Sequence, residues 1–229
     1  MNRRLIALSS AATALVLTVA LPFSATAATP APSDSAVSDA LTAELQQLAQ
    51  ASGGTVTFEP ASVDVTAELV EAAGSTDPAA IADYILEQAD LSQTAQNAPA
   101  TSSAQRAPLA APLAAAASKT VNYTADQNTT LPSFGVAWVN QDMSVTFTGN
   151  TINSVRLKGN SYGTGISLFA YSHINTTLEY RKNRTCLRTY MKGTFSAIVK
   201  GSAVNFAATV LASDAPRNGN MVSVLYTEC

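Results

Sequence analysis

Histidine and cysteine are the scarcest reactive residues in this chain. His173 is the single imidazole, and Cys186 and Cys229 are the only thiols. That excludes a Cys₄ or Cys₂His₂ zinc site within one chain. No Gly-x-Ser-x-Gly elbow surrounds any serine. Gly163-Thr164-Gly165 is too short to cradle a phosphate and reads as a turn. A glycosidase needs two carboxylates facing a cleft. The C-terminal half carries just Asp126, Asp142, Glu179, Asp214 and Glu228, scattered along the chain. None of them stands at ligand spacing from His173, so neither a metal nor another cofactor is expected. The balance leans against an enzyme. Charged residues make up only 13% of the 229, but 47% are apolar, too many for a chain disordered throughout.

One apolar run is long enough to matter for a membrane, and it lies at the start. Asn2-Arg3-Arg4 is a short positive region, Leu5–Phe23 is apolar, and Ala25-Thr26-Ala27 fits the small-x-small rule of signal peptidase. The expectation is a Sec-type signal peptide over 1–27 and a secreted, extracellular product without a stable transmembrane anchor. Leu-Ile-Ala-Leu after the arginine pair is a poor twin-arginine signal. Export implies an oxidising compartment in which disulfides persist.

After Ala27 the chain divides by charge near residue 118. Residues 28–118 hold eleven acids and one base, Arg106, whereas 119–229 hold ten bases and five acids. The small net charge of −3 thus conceals a part at −10 and a part at +5. Aromatics divide the same way: the acidic part has Phe58 and Tyr84, and the basic part has Trp138, five Phe and six Tyr. Each large buried side chain contributes about 1.5–3 kcal/mol, so the basic part has the means for a substantial core and the acidic part for a thin one.

Periodicity assigns elements to each part. Ser35–Ala51 reads as a helix with Leu41, Leu45 and Leu48 on one face, ended by Gly53-Gly54. A short strand is expected at 55–58. A second helix is expected from Asp77-Pro78 to Asp90, because proline suits the first helical position. From Leu91 to Ser118 all pattern is lost in Ala, Ser, Thr, Gln and Pro, which reads as a disordered, protease-accessible linker. Met143–Thr148 alternates apolar and polar, Gly149-Asn150 supplies a type II′ turn, and alternation resumes through Lys158. Further strands are expected near 120–125, 134–139, 166–172, 174–181, 185–192, 194–200, 202–211 and 220–228. The fold class is therefore mainly β: a C-terminal all-β sandwich or barrel-like domain (119–229). A signal peptide (1–27), a small, acidic, partly helical pro-region (28–90) and a linker (91–118) precede it.

The two thiols are expected to pair as Cys186–Cys229 and pin the last strand. His173, in Tyr171-Ser172-His173-Ile174, reads as a strand-end residue, and a Cys186 nucleophile with His173 as base has no motif behind it. The densest cluster of one charge is Arg181, Lys182, Arg184, Arg188 and Lys192, flanked by Tyr180 and Tyr190. These seven residues form the candidate site, a cationic hairpin for an anionic envelope polymer or lipid surface. The acidic segment 28–118 is the expected internal partner, docked over that face until release. Nucleic acid is not expected as a partner, given export and no recognised motif. Alternatives are a secreted bacteriocin-like toxin, a protease inhibitor, and a hydrolase with an unrecognised site.

Overall fold

A computed structural model describes residues 31–94, 117–127, 138–164 and 168–229. The expected signal peptide and most of the expected linker lie outside these residues.

The acidic part is helical where its pattern is helical. Helix α1 spans Asp34–Ala51 and starts at Ser33, whose hydroxyl accepts from the Ala36 amide. Its core stripe is Val37, Leu41 and Leu45, shifted one turn towards the N-terminus from the expected set. Two short strands follow, β1 (Val56–Phe58) and β2 (Ser62–Val63), then α2 (Ala67–Ala73) and α3 (Pro78–Thr94). Pro78 opens α3, and the Asp77 carboxylate accepts from the Ala79 amide. Neither β2 nor α2 carried a sequence signal, because two and seven residues are too few to show a period. Polar residues of α1 are not idle: Ser38 and Thr42 accept from the amides of Val63 and Ala61, fastening the helix to the β2 region.

The rest is β. The strands are β3 (Ser118–Gln127), β4 (Trp138–Thr148), β5 (Thr151–Leu157), β6 (Tyr162–Thr164), β7 (Ala170–Arg181), β8 (Cys186–Val199), β9 (Ser202–Arg217) and β10 (Asn220–Ser223). A 3₁₀ turn, Tyr226–Glu228, follows β10. The β4–β5 hairpin turns on Gly149-Asn150, with Thr148 opposite Thr151. Gly149 takes φ 59° and Asn150 stays at negative φ, as a type II′ turn requires. Several expected strands are halves of longer ones. The segments 185–192 and 194–200 are one strand, β8. The described end of the expected 166–172 strand joins 174–181 as β7, where a bulge between His173 and Asn175 absorbs the break in alternation; residues 166 and 167 lie outside the described residues. The expected 220–228 strand stops at Ser223.

Two antiparallel sheets result, and they do not close into a barrel. One is the meander β7-β8-β9; the outer edge of β9 then carries β2, β1 and β10 in succession. The other is β3-β4-β5, with β6 on the far end of β4. On β8 and β9, Leu187, Met191, Phe195, Val204, Phe206 and Val210 share one face and are buried. They pack in one core with Met143, Val145, Phe147 and Ile152 of the second sheet and with Leu41, Leu45, Ile81 and Ile85 of the helices. Thus strands and helices from both charge halves share a single interior. Gly193 lies on this face because a Cβ there would run into the ring of Tyr171 and the Ser172 carbonyl.

Beyond β10 the chain folds back over the outer face of β8. Cys229 bonds to Cys186 with Cα atoms 5.6 Å apart. The Val224 amide donates to the Ser213 carbonyl at 2.8 Å. Among the described residues no helix is long and apolar enough to cross a membrane.

Two measurements test this arrangement. Leu41→Ala is expected to lower the stability of the whole molecule by about 2–5 kcal/mol, the cost of a buried leucine cavity. Helical and β circular-dichroism signals should then melt together; separate transitions would refute the shared core. Replacing both cysteines by serine opens a loop of 43 residues and should cost about 4 kcal/mol on the chain-entropy account, measured by denaturant unfolding.

Candidate binding rim and open seam

The β7–β8 turn carries the cationic cluster. Lys182, Asn183 and Arg184 have φ of 46°, 54° and 67°, three consecutive left-handed residues without a glycine. Each costs about 1–2 kcal/mol in backbone sterics, so the surroundings must hold the turn in place. Arg184 does much of this. Its guanidinium donates to the carbonyls of Ile152, at 2.6 Å, and Asn153, and its own carbonyl accepts from the Ile152 amide at 2.8 Å. It also lies 4.0 Å over the ring of Tyr180. Thr185 Oγ1 donates back to the Lys182 carbonyl.

The other expected site residues separate. Arg181 pairs with Glu179 at 2.8 Å, and Tyr190 donates to the same carboxylate at 2.7 Å. The Tyr190 hydrogen bond, followed by that from Arg181, holds the Glu179 carboxyl below its ordinary range. Arg188 is 8% exposed because the C-terminal tail covers it. The Tyr226 ring sits 4.2 Å from its guanidinium, and the Tyr226 carbonyl accepts from it. Lys192 lies about 20 Å along β8 from the tip and is ion-paired with Glu59. So the tip itself gathers Tyr180, Arg181, Lys182 and Arg184.

Glu59 follows β1, so this pair is where the acidic part meets the cationic strand. The strands β1 and β2 occupy the β9 edge at 204–210, well down the sheet from the tip. At the tip end the contacts come from the C-terminus instead. Lys182 Nζ donates to the Glu228 carbonyl, and Arg217 pairs with the Glu228 carboxylate at 2.9 Å. The 3₁₀ turn thereby joins the hairpin tip to the end of β9.

The two sheets meet differently along their two seams. Where β5 and β6 approach β7, the seam is stitched by the Arg184 contacts, by Thr176 to Gln141 at 2.7 Å, and by Ser161 to both Tyr171 and His173. Where β3 approaches β9 and β10, Lys119 donates to the Gly219 carbonyl and Tyr123 to Asp214. Among the described residues no strand pairs with the outer edge of β3. A cavity of about 480 Å³ opens there, lined by Tyr123, Asn122, Arg217, Asn218, Asn220 and Met221 among others. None of these residues carried a sequence signal for a site.

Ser161 is the closest approach to a catalytic constellation. Its Oγ is 2.7 Å from His173 Nδ1 and 2.8 Å from the Tyr171 hydroxyl. Its amide donates to the same Nδ1, which must therefore present a lone pair. Yet Ser161 is only 3% exposed, and no carboxylate orients the imidazole among the described contacts. The group acts as a seam fastener. Among the described residues no three His, Cys, Asp or Glu side chains gather as a metal set.

Behind the open seam lies Asp214, fully buried. Tyr123 donates to its Oδ1 at 2.7 Å, and Oδ2 has no partner among the described residues. Burial pushes its carboxyl up to about 7, against a partial opposing effect of the Tyr123 bond. Burial and the neighbouring Asp214 push the Tyr123 phenol far upward, so it stays a neutral donor. The chain matches no family model, no curated protein and no solved structure.

The Asp214 environment gives a signed pH dependence. The folded state holds the proton more tightly than the unfolded state, whose carboxyl has the ordinary value of 3.8. The resulting stabilisation is complete below that value and is lost as pH rises through about 7. Melting temperature should therefore fall between pH 5 and pH 8, and Asp214→Asn should flatten that part of the profile. An unchanged slope in the variant would place the titration elsewhere.

Proposed function

We propose that this chain is an exported, non-catalytic protein whose β-domain binds an anionic component of the cell envelope. One observation carries the reading: Lys182 and Arg217, distant in sequence, converge on Glu228. Arg181, Lys182 and Arg184 at the tip and Arg217 at the end of β9 thus form one cationic rim. Its four bases outnumber the two carboxylates among them, Glu179 and Glu228, and such a net positive rim attracts a polyanion over several ångströms. The left-handed tip supports the reading, since strained turns persist where the surroundings over-determine them, and such positions cluster at functional sites.

In this proposal the acidic segment 28–118 is an internal partner that completes the β9 edge. Its Glu59–Lys192 pair leaves the tip uncovered within the described residues. Release by cleavage in the linker would then be governed by loss of β1 and β2 from the sheet, with no need to unmask the tip.

The test is binding of the full secreted chain to an anionic polymer, such as polygalacturonate, and to anionic and neutral vesicles. Binding to the anionic probes should weaken as salt rises, because the screening length at about 0.15 M is roughly 8 Å. Arg181→Glu with Lys182→Glu should reduce it by at least about tenfold, with each base near an anionic surface contributing about 1 kcal/mol. Arg184 is excluded from the variant because it fastens β5. Binding that ignores salt or the double variant would overturn the proposal. Leakage of dye from anionic vesicles would favour the toxin reading.

A further inference from the structure

We infer that the open seam between β3 and β10 is a saccharide subsite, and that the anionic ligand is a carboxylate-bearing polysaccharide. The inference rests on the proposed function and assigns the ligand class. The cavity volume of about 480 Å³ falls inside the roughly 300–1,000 Å³ range of small-molecule sites.

Its lining has the composition that sugar recognition needs. Tyr123 supplies an aromatic wall. Its hydroxyl is tied to buried Asp214, so the ring is fixed before any ligand arrives and little side-chain freedom remains to be lost. Asn218 and Asn220 bring side-chain amides, each able to donate and accept towards neighbouring hydroxyls, whereas the Asn122 amide oxygen is taken by Lys158. Met221, buried in the core behind the seam, gives an apolar floor for the carbon face of a ring. Arg217 is the cationic side chain in the lining, and its planar fork suits a carboxylate.

Arg217 lines the cavity and also pairs with Glu228, whose carbonyl holds Lys182, so it links the cavity to the hairpin tip. A polymer seated by one sugar in the seam would carry its next charges past Glu228 towards Lys182 and Arg181. A membrane surface fits this geometry poorly, because a flat array of headgroups meets the tip without entering a cleft between two sheet edges. In the seated complex, the Glu228 carboxylate gives up Arg217 to the incoming carboxylate.

Amide chemical shifts of the full chain, titrated with a galacturonate tetramer and with a neutral glucan tetramer, test the inference. The acidic oligomer should shift residues 121–123 and 217–222 together, and the neutral one should bind far more weakly. Arg217→Gln should weaken the acidic oligomer about tenfold, the loss of one charge-assisted hydrogen bond. Asn220→Ala, at an exposed strand end, should weaken it severalfold with the melting temperature unchanged. Tyr123→Leu is informative only if that variant melts as the wild type does, so the decision rests on Arg217 and Asn220. Shifts confined to 181–184, or full affinity in both variants, would overturn the subsite and leave the cationic rim standing. Equal binding of the neutral oligomer would overturn the ligand class. No binding of any anionic probe would overturn the proposed function as well.

Discussion

Everything in this fold depends on strand β9 being paired along both edges. Thirteen of its sixteen residues, Ser202–Asp214, pair with β8 on one side. On the other side three short strands share the edge: β2 and β1 from the acidic part, and β10 from the chain's end. An unpaired edge of that length would leave a row of amides and carbonyls open to other chains. Segments from both ends of the described chain meet there. Helices α1 and α3 must follow β1 and β2 onto the core face, since their leucines and isoleucines have no other apolar surface to cover. The charge boundary near residue 118 is therefore not a packing boundary.

That edge also fixes the asymmetry of the two seams. On the β7 side, side chains from β4 and β6 and the hairpin tip reach across and close the gap. On the β9 side, the chain turns at Asn218, φ 53°, into β10, which continues the first sheet without pairing with β3. The gap left behind is spanned by Lys119 and Tyr123 alone among the described contacts. A buried carboxyl with one unpartnered oxygen lies directly behind it, a costly arrangement that a fully apolar seam would avoid. The polar group is tolerable as the neutral acid, because burial pushes its carboxyl up to about 7.

What the sequence revealed follows its periodicity. The II′ hairpin, α1, α3 and the β character after residue 118 were legible because alternation and helical spacing run over enough residues to be distinct. The bridge between Cys186 and Cys229 followed from there being two thiols. Strand lengths were less legible: β8 runs unbroken through Gly193, where two strands, 185–192 and 194–200, were expected and where Tyr171 lies across the missing side chain. The tip of the cationic cluster was legible, and its extent was not. Arg188 and Lys192 share a sheet face with each other, as period two requires. What covers that face, Tyr226 over one and Glu59 beside the other, is a tertiary fact. Tyr123, Arg217 and Asn220 had no signal at all, since a seam between sheets leaves no pattern along either strand.

The fate of the cluster shows why a run of like charge is an ambiguous sign. Five cations in twelve residues suggest a surface for something negative, yet the fold uses several of them first. Arg184 satisfies backbone carbonyls of β5 that an edge strand would leave to solvent, and its planar fork does so with defined geometry that a lysine would lack. Arg188 lies under the tail, held by the Tyr226 ring and carbonyl, and the disulfide keeps that cover closed. Arg181 and Lys182 stay at the surface of the turn, the first paired with Glu179 and the second with the Glu228 carbonyl. On the proposed reading, structural and recognition roles are divided among neighbours in one hairpin. The tip can present charge because Arg184 fixes the strained turn on which Arg181 and Lys182 stand.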